Sequence, residues 1–446
     1  MTTDDKNLAR SAGFQGILRA LRHRNFRLFF IGQGFSVIGT WMQSVAMSWL
    51  VYRLTGSAFL LGFIGFVSQV PSFLVAPFSG VLADRWDRRH VLIATQGVSM
   101  VQAFILAAVV LTGTVQVWEI IVLSAVLGIV NGFDVTFRQS FVVEMVEGKE
   151  DLGNAIALNS TMFHGARFIG PSLAGLLIVA VGEGACFVIN GVSYLAVITS
   201  LLLMKTGPRT SPAGQRRILP ELREGISYAF TSAPIRSVLM LVALVSLVGM
   251  PHVVLMPVFA KEILHGGPHT FGFLMTAAGM GSFTAALYLA SRKSVVGLGR
   301  IIAIAPGILG VSIAAFAFSP YTWLSMALLV FAGIGMMLQI AASNTFLQTI
   351  VDDDKRGRVV SLFAMAFLGV APFGSLLTGA LASRIGAPLT VLIGGLCCIA
   401  GSASFVCWLP GFRKIVRPIY ERMGIIPGAA TGIEAPSELT LPPDEH

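Results

Sequence analysis

The sequence predicts an all-α polytopic membrane protein, in which twelve transmembrane helices form two six-helix bundles related by pseudo-symmetry. Of the 446 residues, 55% are hydrophobic and only 12% are charged, and long apolar runs alternate with short polar loops. Soluble domains have about 45–50% apolar and about 25% charged residues. Most of the chain therefore cannot face water, which argues against soluble enzymes, disordered chains and disulfide-rich secreted domains.

Each predicted helix is an apolar run of the length needed to cross ~30 Å of hydrocarbon, which takes about 20 residues. The runs are rich in Leu, Ala, Gly and Met and lack the alternation of membrane β-strands. The helices are predicted over residues 26–52, 57–82, 90–112, 116–140, 155–180, 185–204, 235–261, 270–291, 299–318, 321–345, 359–383 and 387–409.

The positive charges predict the orientation of these helices. If both termini are cytoplasmic, nearly all of the 31 Lys and Arg residues lie on the inner side; Arg53, Lys261 and Arg384 lie outside, and Arg167 lies within a helix. Such a bias fixes the topology by the positive-inside rule. We therefore expect a multi-pass protein of the plasma membrane, in a bacterium the inner membrane, with both termini in the cytoplasm.

The chain also divides into two halves with related sequences. Leu54-Thr55-Gly56-Ser57 recurs as Leu264-His265-Gly266-Gly267, and Ser160 and Pro171 recur as Ser361 and Pro372. Two related sets of six helices are typical of secondary transporters whose substrate site lies between the halves. The predicted domains are a cytoplasmic N-terminus (1–25), an N-terminal bundle (26–204), a cytoplasmic linker (205–234), a C-terminal bundle (235–410) and a cytoplasmic tail (411–446).

The loop between the second and third helices carries a cluster of charges. Its glycine would let helices approach closely, its carboxylates can accept hydrogen bonds at a helix N-terminus, and its arginines can bridge carboxylates or lipid phosphates. The loop resembles the signature loop of the major facilitator superfamily, G-x-L-x-D-R-x-G-R-R, although Asp87 stands where that pattern has Gly. The predicted conformational latch comprises Gly80, Asp84, Arg85, Asp87, Arg88 and Arg89, with Arg138 from the fourth helix.

Four further segments make residues 20 to 420 similar to the siderophore-exporter and macrolide-efflux branch of this superfamily. They are Trp41-Met42-Gln43, Trp49-Leu50-Val51, Leu54-Thr55-Gly56-Ser57 and Gly170-Pro171. The resemblance implies a transporter, not an enzyme, that exports a small amphipathic molecule (a drug, a macrolide or a siderophore-like compound) by proton antiport and alternating access. Because glycine and proline ease helix bending, Gly170 and Pro171 are a predicted hinge. Their flanking glycines are spaced differently from the antiporter pattern G-x-x-x-G-P-x-x-G-G.

The few ionisable groups inside the membrane suggest how transport is coupled. Such groups are costly in lipid and usually face a cavity or a partner. Asp134 on the fourth helix and His164 and Arg167 on the fifth are predicted to meet and to form a proton-responsive site. The alternative is a structural ion pair that closes the inner end of the N-terminal half.

The same resemblance places helices 1, 4, 7 and 10 around the substrate cavity. Methionine and aromatic side chains there would suit a large, partly apolar molecule, although such residues often serve only packing. The candidate cavity residues are Gln33, Trp41, Gln43, Asn131, His252 and Gln339.

Other functions remain open at this stage. Uptake or flipping of a lipid-like or nutrient substrate is one alternative, and a non-transporting membrane sensor or scaffold is another. The chain has no phosphate-binding G-x-x-x-x-G-K-[ST] motif and no metal-ligand spacing, so we expect no cofactor and no metal. The expected partners are a small-molecule substrate, protons and the lipid bilayer, without nucleic acid, and the expected state is a monomer.

Overall fold

The computed structural model describes residues 19–146, 150–205, 227–292 and 294–425. These residues form helices joined by short loops, with no β-strand in the described ranges, so the predicted fold class is confirmed. The helices are α1 (Arg24–Thr55), α2 (Ala58–Arg85), α3 (Arg88–Leu111), α4 (Val117–Val142), α5 (Leu152–Val181), α6 (Glu183–Leu203), α7 (Ala233–Ile263), α8 (Pro268–Ser291), α9 (Leu298–Phe316), α10 (Thr322–Ile350), α11 (Asp353–Ala364, Met365–Gly369 and Ala371–Ile385) and α12 (Ala387–Arg422).

Eleven of these helices are long and apolar enough to cross a membrane. The twelfth, α1, has 32 residues and is more polar, because it carries Arg24, Gln33 and Gln43 among others. Helix α12 continues to Arg422, so the predicted tail from residue 411 begins as helix. Most of the predicted linker, and the tail beyond residue 425, lie outside the described residues.

The molecule has a terminal face and a far face. The terminal face carries the start of α1 and the end of α12, and the far face carries the α1–α2 and α7–α8 connections. Within the N-terminal half, α1 packs on α5 and α6, and α4 packs on α2 and α3; within the C-terminal half, α9 and α10 pack together with α8 and α12. The halves meet mainly through two helix pairs, α5 with α8 and α2 with α11.

Local sequence explains where the helices turn. Gly56 ends α1 in the left-handed region at φ 61°, and the Ser57 hydroxyl caps α2 by accepting from the Leu60 backbone N–H at 3.2 Å. The α5–α6 and α11–α12 turns each contain one glycine, Gly182 at φ 85° and Gly386 at φ 86°. Left-handed angles favour glycine, so the duplication seen in the sequence is also present in the backbone.

Two helices of the C-terminal half are irregular. Helix α7 passes through two π-helical stretches and a 3-10 stretch, Met250–Leu255, which contains Pro251. Helix α11 has a π-helical stretch over Met365–Gly369 just before Pro372. By contrast α5 is a continuous α-helix through Pro171, the position predicted as a hinge. In this conformation the backbone departs from α-helix in α7 and α11 rather than at Gly170-Pro171.

Candidate functional site: a charged cleft between the halves

The halves are closed at the far face by backbone-to-backbone contacts. A Cβ atom built on Gly62 of α2 would lie 2.4 Å from the Ser375 carbonyl oxygen of α11, and one on Gly272 of α8 would lie 2.5 Å from the Pro171 carbonyl oxygen of α5. Real Cβ atoms do not approach other heavy atoms so closely, so these positions accept only glycine without movement of the helices.

The same helices are separated toward the terminal face. Cβ atoms built on Gly80 of α2, Gly165 of α5 and Gly357 of α11 would have no neighbour within 4 Å. The two halves therefore enclose a cleft that is shut at the far face and open toward the terminal face. A side chain at Gly80 would therefore meet open space in this conformation, although the signature loop suggested close packing there.

Side chains add to the closure at the far face. The Tyr52 hydroxyl of α1 donates to the Glu262 carboxylate of α7, and the Lys261 ammonium lies 5.4 Å from the centre of the Tyr52 ring. Nearby, Trp49 stacks on Phe271 of α8 with ring centres 6.3 Å apart. Sequence reasoning missed this contact, and its only signal was the adjacent pair Lys261-Glu262 at the end of an apolar run.

Asp134 lies inside the N-terminal half with both carboxylate oxygens engaged. Oδ1 accepts from Gln96 Nε2 at 2.7 Å and from the Thr95 hydroxyl at 3.3 Å, and Oδ2 lies 3.1 Å from Arg138 Nη1. The Arg138 guanidinium in turn lies 4.6 Å from the centre of the Phe163 ring on α5. The structure therefore pairs Asp134 with Arg138, one turn away on α4, and not with Arg167 as expected.

The side-chain amides next to Asp134 belong to the same buried cluster. Gln33 of α1 lines a narrow crevice together with Gln96, Asp134 and Arg138, so its side chain faces the interior of the N-terminal half. Gln96 Oε1 is buried and has no hydrogen-bond partner. The sequence did not single out Gln96, because a lone glutamine in an apolar helix carries no recognisable pattern.

Gln43 also lies inside the N-terminal half. Its amide donates to Gln102 Oε1 at 3.0 Å and its carbonyl accepts from Asn190 at 2.7 Å. Asn190 also contacts the Tyr194 hydroxyl at 3.3 Å. This network joins α1, α3 and α6, which are packed together, so the prediction of Gln43 as a cavity residue does not match its placement.

Arg167 lies where the packed part of the α5–α8 interface ends. Its carbonyl oxygen lies 2.7 Å from a Cβ built on Gly279, and the next carbonyl, of Phe168, accepts from the Thr276 hydroxyl at 3.3 Å. The guanidinium lies 5.5 Å from the centre of the Trp41 ring on α1. His164, three residues earlier on α5, is half-buried.

His252 approaches this region from the C-terminal half. Its side chain is buried, and Nδ1 lies 2.5 Å from the Gly249 carbonyl oxygen, an arrangement in which Nδ1–H donates to the carbonyl. His252 belongs to the 3-10 stretch of α7. The structure thus brings Trp41 and Arg167 together from two helices of the N-terminal half, and His252 lies buried on α7 of the C-terminal half.

The two remaining candidate cavity residues are carboxamides on α4 and α10. Gln339 is fully buried, donates to the Ser343 hydroxyl at 3.3 Å and leaves Oε1 without a partner. Asn131 is half-buried, and within the described part of the chain its side chain makes no hydrogen bond.

The predicted latch loop makes its described contacts within the N-terminal half. Arg88 donates to the Ala83 and Ser140 carbonyls and pairs with Glu144 at 2.6 Å, while Arg89 donates to the Leu202 carbonyl at 2.8 Å. These arginines tie the ends of α2, α4 and α6 together. Arg85 is exposed, Arg138 belongs to the Asp134 cluster instead, and the side chain of Asp84 lies outside the described residues.

Asp87, the departure from the family pattern, has a clear local role. Its carboxylate accepts from the His90 backbone N–H at 3.1 Å and caps the start of α3. The Asp87 backbone is extended, at φ −67° and ψ 112°. The turn therefore does not need the left-handed angles that glycine permits.

The geometry agrees with comparisons to known proteins. The family described as transmembrane secretion effector matches residues 15–417. The staphyloferrin A transporter of Staphylococcus aureus is 24% identical over 373 residues, 83% of this chain and 92% of that protein. Macrolide efflux protein A of Streptococcus pyogenes is 22% identical over 396 residues, 85% and 96% of the two chains.

A solved structure shows the same fold. A mutant of the nucleoside transporter NupG superposes with a TM-score of 0.67 at 13% sequence identity, over 87% of this chain and 99% of that chain. The chain therefore belongs to the transmembrane secretion effector family of multi-pass transporters in the major facilitator superfamily.

Proposed function

We propose that this protein is a proton-driven exporter of a small amphipathic molecule. The observation that carries the proposal is the cleft, shut at the far face and open toward the terminal face, between two halves with related sequences. Alternating access requires a site between two halves that can rock about it. The transport activities named for the similar proteins, staphyloferrin A transport and macrolide efflux, support a substrate of this kind.

Export is the proposed direction, and its support is the efflux activity named for the similar macrolide efflux protein; the charge distribution supports the orientation. The positive-inside rule places the terminal face, where Lys and Arg are concentrated, in the cytoplasm of a bacterial inner membrane. The cleft would then load from the cytoplasm or from the inner leaflet, as an exporter must. We further propose that one chain suffices, since the cleft is formed within a single chain.

Asp134 is the proposed site of proton coupling. Its buried carboxylate holds the Arg138 guanidinium, which contacts Phe163 on α5. Protonation would remove the charge that holds Arg138, and rotation of the Gln96 amide would present Oε1 to the new carboxyl hydrogen. The Asp134 carboxyl group can therefore be hydrogen-bonded in either protonation state. Release of the Arg138 charge on protonation would link the proton to the packing of α4 against α5.

The coupling can be tested in inverted membrane vesicles with a pH-sensitive dye. The compounds added would be siderophores, macrolides, dyes and lysolipids. We expect wild-type vesicles to release protons when a substrate is added, and the Asp134→Asn variant to lose proton movement by tenfold or more. Glu119→Gln is a matched control, because Glu119 caps α4 at the far face, and this variant should behave like the wild type. Full proton-driven transport by Asp134→Asn would refute the coupling.

A further inference from the structure

The cleft contains a positive charge that the protein itself does not neutralise. Among the described residues, no carboxylate lies within ion-pair distance of Arg167. Within the membrane-spanning segments, four carboxylates whose side chains the structure describes are engaged elsewhere: Asp134 with Arg138, Glu183 with Arg53, Glu262 with Tyr52 and Glu119 with the backbone of α4.

The opposite half offers few carboxylates: Glu262 of α7 is held by the Tyr52 hydroxyl at the far face. The sequence has no Asp or Glu between Glu262 and Asp352, nor between Asp354 and Glu421. The membrane-spanning parts of α8, α9, α10, α11 and α12 are therefore free of acidic residues. A charged side chain inside the membrane is costly unless a partner or water solvates it, so the open cleft leaves Arg167 available to an anionic partner from outside the protein.

Arg167 is placed to meet such a partner. Its backbone makes the contact with Gly279 at the end of the packed interface, and Gly165, half a turn nearer the terminal face, has no neighbouring helix. The backbone of Arg167 therefore marks the closed end of the cleft. The guanidinium lies 5.5 Å from the centre of the Trp41 ring, and its N–H groups extend from the edge of the guanidinium plane. A guanidinium edge matches the two oxygens of a carboxylate.

We propose that Arg167 binds a carboxylate of the transported molecule, whose apolar part packs on Trp41. His252 assists from the other half, because its Nδ1–H is directed to the Gly249 carbonyl and Nε2 is left as an acceptor for a hydroxyl or amide group of the same molecule. The inference rests on the proposed function, since it assigns a substrate class to the same cleft. It differs from the coupling proposal in assigning Arg167 to the substrate and not to the proton.

The test compares two fluorescent probes that differ only in charge, pyrenebutyrate and pyrenebutyramide. Their dissociation constants are measured on the purified full-length protein in lipid nanodiscs, without a proton gradient. We expect the wild-type protein to bind the carboxylate at least tenfold more tightly than the amide. The Arg167→Gln variant should lose this preference while its affinity for the amide stays within twofold.

Two further variants keep the test independent of folding. Arg167→Lys retains the charge and should retain most of the preference for the carboxylate. Arg384→Gln removes a positive charge from an exposed position at the far face and should leave both affinities unchanged. Equal binding of the two probes by the wild type, no saturable binding of the carboxylate, or an undiminished preference in Arg167→Gln would each overturn the proposal. Because no gradient is used, a failure of proton coupling would not affect this result.

Discussion

At the scale of single residues, the buried charges of the N-terminal half work in a different combination from the one predicted. The sequence showed Asp134, Arg138, His164 and Arg167 on the inward halves of two helices. It could not show which guanidinium reaches the carboxylate, because that depends on the rotation of α5 relative to α4. Arg138 is four residues from Asp134, and i,i+4 pairs on one helix are neighbours whatever the packing of other helices. Arg167, on the other helix, lies over Trp41 instead.

The Asp134–Arg138 pair is expected to contribute to the stability of the fold, because each charge neutralises the other. Removing one member leaves an uncompensated buried charge, which costs about 3–5 kcal/mol in the free energy of unfolding. We expect Arg138→Ala to be destabilised on this scale, and Asp134→Asn combined with Arg138→Gln to recover most of the loss. Unfolding of the purified variants by increasing mole fractions of SDS provides the measurement. A double variant as unstable as Arg138→Ala would contradict this account.

At the scale of elements, the start of α5 is tied to the segment before α1. Asp151 accepts a hydrogen bond from the His23 ring at 2.9 Å and pairs with Arg19, while Asn154 accepts from the Ala20 backbone N–H at 2.9 Å. The hydrogen bond from His23, helped by the Arg19 charge, holds the pKa of the Asp151 carboxyl below its usual value. These contacts fix the entry of α1 at the terminal face.

This tie is expected to weaken in acid. A carboxyl whose pKa is lowered by folding contributes stability above its ordinary pKa, about 3.9, and loses it as the pH falls through the lowered folded value. Relative to an unstructured cysteine peptide at the same pH, an Ala20→Cys variant without the native cysteines should therefore react slowly with a dipyridyl disulfide at pH 7 and at pH 5, and faster on this relative scale below pH 4. Adding Asp151→Asn should give fast labelling at every pH. Adding Asp87→Asn instead, which changes the cap of another helix, should leave the labelling as slow as in Ala20→Cys alone. Equal labelling of Ala20→Cys and of its two double variants would show that Asp151 does not hold the segment.

The helices themselves were largely predictable, and their irregularities were not. Apolar length placed all twelve, because the cost of exposing backbone in hydrocarbon leaves few other solutions. The only sequence signal for the departures from α-helix in α7 was the pair Pro251 and Pro257, six residues apart. This signal is weak, because proline is compatible with a continuous helix, as Pro171 shows in α5. Whether a proline distorts a helix depends on its neighbours in space. The surroundings of a side chain in space are likewise not visible in composition. The sequence therefore could not show that Gln43 lies inside a bundle and does not face the cleft.

At the scale of the whole molecule, the proposed mechanism requires that the two halves close at only one face at a time. Helices α2 and α11 run antiparallel, and Gly65 of α2 faces Ser375 of α11. If the same register continues when the terminal face closes, Gly80 of α2 would lie opposite Ser361 of α11. Ser361 is exposed and Gly80 has no neighbour within 4 Å, so both are free to form that contact. The far-face glycines would then separate.

Paired cysteines can report this exchange. A Cβ on Gly65 would lie 3.2 Å from Ser375 Cβ, close to the spacing of about 3.5–4.5 Å between Cβ atoms in disulfides. We expect Gly65→Cys with Ser375→Cys to cross-link in the state described here and to block transport. Gly80→Cys with Ser361→Cys should cross-link only after the terminal face closes. A Gly80–Ser361 cross-link that forms as fast as the Gly65–Ser375 one, with both pairs joined in the same molecule, would rule out rocking of rigid halves.

The lone guanidinium in the cleft also determines the electrical balance of a transport cycle. The membrane potential falls across whichever face is closed, at about 2.3 kcal/mol per elementary charge per 100 mV. When a protein without substrate exchanges its closed face, the Arg167 charge and the proton proposed for Asp134 are carried through that potential, whereas in a protein holding a monocarboxylate the Arg167 charge is neutralised. The membrane potential would then act on the step in which the substrate-free transporter returns, and it would not act on the step that carries the substrate. The turnover rate would therefore depend on the membrane potential even when the substrate is an anion.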